Sequence, residues 1–177
     1  PATSSAASDV YKRQYFNRSY TSTPICSPAR SSVYTGQHVQ CTGVWDNTVT
    51  PWVPGLYDNV NTIGHLLRNQ NYETGYFGKW HLTNITDSNV NENALGYEGM
   101  KKMFANYGFD NSDQPGERDL GQGGYKFDGL TAESTSRFIR EKKGIEKPWS
   151  AFVNFVNPHD IMSVSYTHLT LPTKSRV

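Results

Sequence analysis

Cysteine is scarce in this 177-residue chain: only Cys26 and Cys41 occur, too few for a disulfide scaffold and not in the C-x-x-C spacing of a zinc ribbon. Charge of either sign is not in excess. The 17 Lys and Arg face 16 Asp and Glu, a formal net charge of +1, which argues against a nucleic-acid binder or a polybasic membrane surface. Long apolar runs are missing as well, with none approaching the roughly 20 residues of a membrane span. Internal repeats and low-complexity tracts are absent. What is present, 36% hydrophobic residues with 13% aromatic and 19% charged, suits a folded globular chain of one ordinary domain rather than a disordered one.

The two ends read as something other than designed protein. Residues 4–14, SSAASDVYKRQ, correspond codon by codon to a transposase adaptor used in sequencing libraries, and Val164–Thr173, VSYTHLTLPT, resembles the reverse complement of that adaptor. One short sample tag and its reverse complement then account for Pro1-Ala2-Thr3 and Lys174-Ser175-Arg176. A signal peptide fits residues 1–14 poorly, since they have no apolar stretch and their charges come last. The expectation is that 1–14 and 163–177 are adaptor-derived and that 15–162 is an internal piece of a longer gene. Without those ends 13 Lys and Arg face 15 Asp and Glu, and the net charge becomes −2.

Pro24 and Pro28 flank Ile25-Cys26-Ser27, and Ala29–Tyr34 closes with Thr35-Gly36, the pattern of a short helix entered through a Pro-punctuated turn and stopped at a Gly cap. Residues 61–69, with Ile63, Leu66 and Leu67 at helical spacing, predict a second helix. Tyr72–Leu82 reads as a strand running into a turn. Residues 83–129 shift to Asn, Asp, Gly and Gln and read as a long irregular excursion carrying little core. Thr131 begins a helix ended by Gly144, with Phe138 and Ile139 apolar and Arg137, Arg140, Glu141, Lys142 and Lys143 solvated. Trp149–Val156 reads as a buried strand, and helix-then-strand order predicts a parallel α/β sheet.

Three places carry candidate chemistry. Cys26 and Arg30, four apart, share one face of a helix that starts there. Such a helix start favours an anion or an ionised sulfur, and Arg30 offers an always-charged fork, although on spacing alone a structural cysteine is the stronger reading. Lys79 and His81 share a face of an extended segment with Trp80 opposite, which suits an oxyanion and a proton moved by His81; a surface strand of ordinary polar residues is the alternative. His159, in Asn157-Pro158-His159-Asp160, lies just beyond a strand, where open α/β sheets bind ligands, unless it serves a turn.

Together these residues resemble a known family. Cys26-Ser27-Pro28-Ala29-Arg30 with Thr35-Gly36 is similar to the first sulfatase signature, C-x-P-x-R followed by T-G. Tyr72–His81, YETGYFGKWH, looks like the second, normally G-Y-x-T-x-x-x-G-K-x-H, with Asn71 standing where the pattern has Gly. Phe155–Asp160, FVNPHD, is similar to the strand end that delivers a third active-site His. The order and separations also agree, over essentially all of residues 15–162.

The resemblance implies a partial alkaline-phosphatase-like α/β fold, a mostly parallel central sheet with flanking helices, truncated at both ends. It implies that a maturation enzyme converts Cys26 to formylglycine, whose hydrate is the nucleophile toward a sulfated small molecule or glycan. Arg30 would hold that hydrate, Lys79 and His81 would contact it and the sulfate, and His159 would bind sulfate and protonate the leaving oxygen. A Ca²⁺ ion would be held partly by the modified Cys26, an all-oxygen site suited to a hard cation. The remaining carboxylate and amide ligands are expected outside this chain, so the fragment alone is expected to be inactive.

The rival readings are a phosphonate or phosphate monoester hydrolase of the same superfamily and a catalytically dead binding fragment. A periplasmic, secreted or lysosomal location is the family expectation, not a property of these residues. Of the other candidates, His38 reads as a loop residue near the mouth of the site, His65 as helix surface or core, and Cys41 as a plain thiol. Asp160 fits either a substrate contact or the turn after Pro158.

Overall fold

Helix α1 occupies Cys26–Thr35. Pro28 is tolerated because the N–H groups of a first helical turn have no intrahelical acceptor. Gly36 closes the helix in the left-handed conformation at φ 67°, its N–H returning to Ser32 O at 2.8 Å. The helix starts three residues before the Ala29 that composition suggests, so Cys26 is its first residue. The computed structural model describes residues 17–84, 92–112 and 123–160, and both adaptor-like ends lie outside them.

A short helix α2, Val39–Thr42, follows with exposed His38 at its N-cap. Helix α3, Ile63–Asn69, falls inside the predicted span because Thr62 caps it. The Thr62 hydroxyl accepts from Gly64 N at 3.1 Å, and His65 Nδ1 accepts from Thr62 N at 3.1 Å. His65 Nε2 also lies 2.9 Å from the Asn106 carbonyl oxygen, so this histidine is a cap and a strut.

Strand β1, Glu73–Gly78, is buried from Thr74 onward, as a strand covered on both faces should be. Its partner β2, Trp149–Asn154, runs parallel, with Glu73 opposite Trp149 and Gly78 opposite Asn154. Gly75 bridges in parallel to Asn111 on the other side of β1. Helix α5, Gly123–Glu141, packs on both strands and precedes β2, the helix-then-strand order of an α/β sheet. β2 itself departs from the buried strand predicted: Trp149 and Val153 are 37% and 38% exposed, and among the described residues only β1 pairs with it.

The predicted irregular excursion is the larger correction. Helix α4, Glu92–Asn106, kinked at Gly96 where φ is 60°, lies inside it, and Met100, Phe104, Tyr107 and Phe109 are core residues. Average composition hides this because a few large side chains close together carry the burial while polar residues around them dominate the count. Tyr76 stacks on Phe104 with ring centroids 5.0 Å apart, and Trp80 meets both rings edge-on at 5.0 and 5.2 Å. Such ring pairs contribute about 0.5–1.5 kcal/mol each beyond their area burial. α5 likewise begins well before Thr131, its Gly124 N–H donating to the Asp160 carboxylate at 2.8 Å. On its last turn Ile139 is 45% exposed, and just beyond it Lys142 is not solvated, since its Nζ bonds Glu73 Oε1 at 2.5 Å.

Candidate active site

The second motif begins where β1 stops. Gly78 adopts φ 92°, and a Cβ there would sit 2.0 Å from the Asn154 carbonyl oxygen, so the turn requires glycine on two grounds. Lys79 N donates to that same oxygen at 2.9 Å, seating the turn on the carboxyl end of β2. The extended Lys79-Trp80-His81 segment predicted from spacing is therefore not formed. Trp80 is fully buried, and Lys79 and His81 are only 5% and 6% exposed, which removes the surface-strand alternative. His81 takes φ 56°, a left-handed conformation costing a non-glycine residue about 1–2 kcal/mol and a recurrent feature of functional sites. Asn71, at the other end of β1, has φ 62°. That explains why Asn can replace the Gly of the pattern: both tolerate the left-handed region.

Arg30 joins the first motif to the second. Its Nε donates to Trp80 O at 2.8 Å, and its Nη2 donates to the Tyr76 hydroxyl at 2.6 Å, to Asn154 Oδ1 at 3.1 Å and to Lys79 O. The Tyr76 hydroxyl in turn donates to Lys79 O at 2.5 Å, and the Tyr34 hydroxyl donates to Asn154 Oδ1 at 2.7 Å. One planar fork thus spans α1, the turn after β1 and the end of β2, a task a lysine ammonium cannot perform.

Cys26, one helical turn before Arg30, is a half-buried free thiol. The loop after α2 holds its neighbour: Ser27 N donates to Asn47 Oδ1 at 3.1 Å, supplying an acceptor that N-cap Ile25 lacks. Cys41 is exposed.

His159 follows β2 in a short turn, with its Nδ1 3.2 Å from Asp160 Oδ1. Asp160 is 1% exposed and accepts from Gly124 N, so it anchors both the histidine and the start of α5. Asp128 fixes the same segment by accepting from Val156 N at 2.8 Å and Asn157 N at 3.0 Å. With Nδ1 committed to Asp160, Nε2 is the nitrogen left for a ligand.

Described bonds therefore tie the Cys26 helix to the Lys79–His81 turn, and that turn to β2. The His159 side-chain bond goes to Asp160, and its nearness to the other two motifs is one of position, beyond the carboxyl ends of two adjacent parallel strands. Asn154, Tyr34, Tyr76, Asn47 and Asp128 are the residues that sequence reasoning missed. Each is a polar group whose role shows only through pairing with a residue 20 or more positions away. Among the described residues no three His, Cys, Asp or Glu side chains gather to hold a metal ion.

A sequence model of the sulfatase family matches residues 1–171. The chain is 40% identical over 67 residues to the uncharacterized sulfatase YidJ of Escherichia coli, covering 38% of this chain and 12% of that one. It is 29% identical over 163 residues to the extracellular sulfatase SULF-1 homolog of Drosophila melanogaster, covering 87% of this chain and 14% of that one. The chain thus spans well under half the length of these relatives. A crystal structure of a Bacteroides thetaiotaomicron protein of the sulfatase group superposes with a TM-score of 0.58 at 22% identity, covering 84% of this chain and 28% of that one. That likeness establishes the fold, and with three ordered motifs converging on the carboxyl ends of a parallel sheet and a family match over nearly its whole length, the chain belongs to the sulfatase family.

Proposed function

We propose that this chain carries the nucleophile end of a sulfuric ester hydrolase acting on a sulfated small molecule or glycan. The observation behind it is the Arg30 fork, which locks the N-terminal turn bearing Cys26 onto the turn bearing Lys79 and His81. Cys26, after conversion to formylglycine by a maturation enzyme and hydration of its aldehyde by water, supplies one hydroxyl to attack sulfur and displace the alcohol and a second whose deprotonation expels sulfate and restores the aldehyde. The chain's own residues provide the rest. Transfer of a sulfuryl group spreads negative charge over its oxygens, and prearranged cations stabilise that charge. Lys79 is a buried cation, and Arg30 is held rigidly enough to fix the side chain at position 26. His81 takes the proton from the second hydroxyl, and His159, braced by Asp160, binds sulfate and gives a proton from Nε2 to the leaving oxygen. A divalent cation, Ca²⁺ by the family resemblance, would be held partly by the modified Cys26 and would add positive charge beside the sulfate oxygens. The whole protein's location follows the same reading: a periplasmic, secreted or lysosomal compartment. Among the described residues no helix is long and apolar enough to cross a membrane.

The test is mass spectrometry of the Ser19–Arg30 tryptic peptide from the intact protein coexpressed with a formylglycine-generating enzyme, paired with turnover of an aryl sulfate. The expected peptide has CHO in place of the CH₂SH of Cys26. Full activity with unmodified Cys26 sinks the mechanism, and preference for an aryl phosphonate over the sulfate transfers the chain to the phosphonate hydrolases.

A further inference from the structure

Asn154 ends β2 directly opposite Gly78, and its Oδ1 accepts from both Arg30 Nη2 at 3.1 Å and the Tyr34 hydroxyl at 2.7 Å. A guanidinium can only donate, so the carboxamide cannot be turned over without setting its own NH₂ against Arg30. That orientation leaves Asn154 Nδ2 buried and without a hydrogen-bond partner among the described residues. Orphaned buried donors are rare and destabilising. An aspartate in the same place would accept both bonds and add an ion pair to Arg30, with a carboxylate oxygen instead of a donor in the unpartnered position. On stability alone, Asn is the poorer choice.

What distinguishes the two side chains is charge. Arg30 stands one helical turn from Cys26, and the buried Lys79 contributes its carbonyl to the same guanidinium nitrogen. A carboxylate in contact with Arg30 would cancel its charge inside a poorly screened environment, where Coulomb interactions act strongly. We infer that Asn154 is a positioning residue: it pins Arg30 through a neutral acceptor, fixing the geometry of the two motifs while leaving the positive field intact for an anionic group at Cys26. The inference rests on the sulfate-ester reading above and adds to it a residue outside the three motif signatures.

The experiment compares wild type, Asn154→Asp and Asn154→Leu in the intact protein, measuring the melting temperature and the affinity for inorganic sulfate by calorimetry. Asn154→Asp is expected to melt at or above wild type and to bind sulfate at least about fivefold more weakly. Asn154→Leu, which removes the acceptor, is expected to melt below both. A smaller loss of sulfate affinity in Asn154→Asp, a melting temperature below wild type for that variant, or a wild type that binds no sulfate each overturns the inference. Sulfate binding by a wild type that hydrolyses no sulfate ester sinks the functional reading and leaves this one standing. Ester hydrolysis with sulfate affinity unchanged in Asn154→Asp does the reverse.

Discussion

Arg30 Nε donates to the carbonyl oxygen of Trp80 at 2.8 Å, across 50 residues of chain. This bond and the companion bonds to Lys79 O, Tyr76 and Asn154 make a single side chain the fastener between the Cys26 helix and the sheet. Arg30→Lys keeps the charge but presents one ammonium where four acceptors are spread. The expected cost is about 2–4 kcal/mol of stability, because buried carbonyls lose their donor. Chemical denaturation of the intact protein measures it, and a change under about 0.5 kcal/mol contradicts the fastening role.

Gly78→Ala tests the junction of β1 with β2. The new methyl would sit 2.0 Å from Asn154 O, and φ 92° is unfavourable for alanine. The clashing atoms belong to the Asn154 backbone, which cannot swing aside as a side chain does, so a loss of at least about 2–3 kcal/mol is expected, seen as a lowered melting temperature or insoluble protein.

Phe104→Ala tests whether α4 belongs to the core. Phe104 is fully buried and contacts both Tyr76 and Trp80. A loss of about 3–5 kcal/mol is expected from lost burial and the cavity left behind. A near-neutral result in denaturant titration would return this stretch to the irregular excursion suggested by its composition.

The chemistry assigned to His159 predicts a dependence on the leaving group. Removing a general acid matters most where the departing oxygen is basic. His159→Ala is expected to lower kcat for an alkyl sulfate by about 10²–10⁴-fold and for 4-nitrophenyl sulfate by much less. Equal losses on the two substrates would argue against proton donation by this residue.

Glu73 supplies a pH-dependent element at the start of β1. The hydrogen bond from Lys142 is the main cause holding its carboxyl below the ordinary value of 4.5; burial opposes this, while the Asn111 bond and the charges of Lys142 and Lys147 reinforce it. A carboxyl with a lowered folded pKa stabilises fully above its unfolded pKa and loses that contribution as pH falls through the folded value. Wild type is therefore expected to lose more stability than Lys142→Met between about pH 5 and pH 3, read from urea midpoints across that range. Parallel curves for the two proteins would remove the pair from any role in acid sensitivity.

Much of this protein was legible in its linear pattern. C-x-P-x-R beside a Gly cap placed α1 to within three residues, and the helical spacing of Ile63, Leu66 and Leu67 placed α3. An aromatic run after Lys147-Pro148 placed β2, and the order of helix and strand foretold parallel pairing. These are properties of neighbours in sequence: dihedral preferences of Gly and Pro, side-chain caps and short-range periodicity act within a few residues. The same locality makes the residue types of the motifs readable, since Cys26, Arg30, Lys79, His81 and His159 declare their chemistry wherever they fold.

Tertiary structure alone decided what those residues touch. The turn at Lys79–His81 is not an extended strand because Gly78, at φ 92°, packs against the Asn154 carbonyl 76 residues distant and Lys79 N bonds that oxygen. α4 belongs to the core because Met100 and Phe104 find Tyr76 and Trp80, which no local average reveals. Arg30, read from spacing as a cation facing an anion, is also the clamp that aligns two motifs, and Asn154 gave no sign of itself until β2 lay beside β1. Contacts between segments far apart in the chain depend on the whole fold closing at once, so their partners are set by packing and hydrogen-bond geometry rather than by any stretch of sequence.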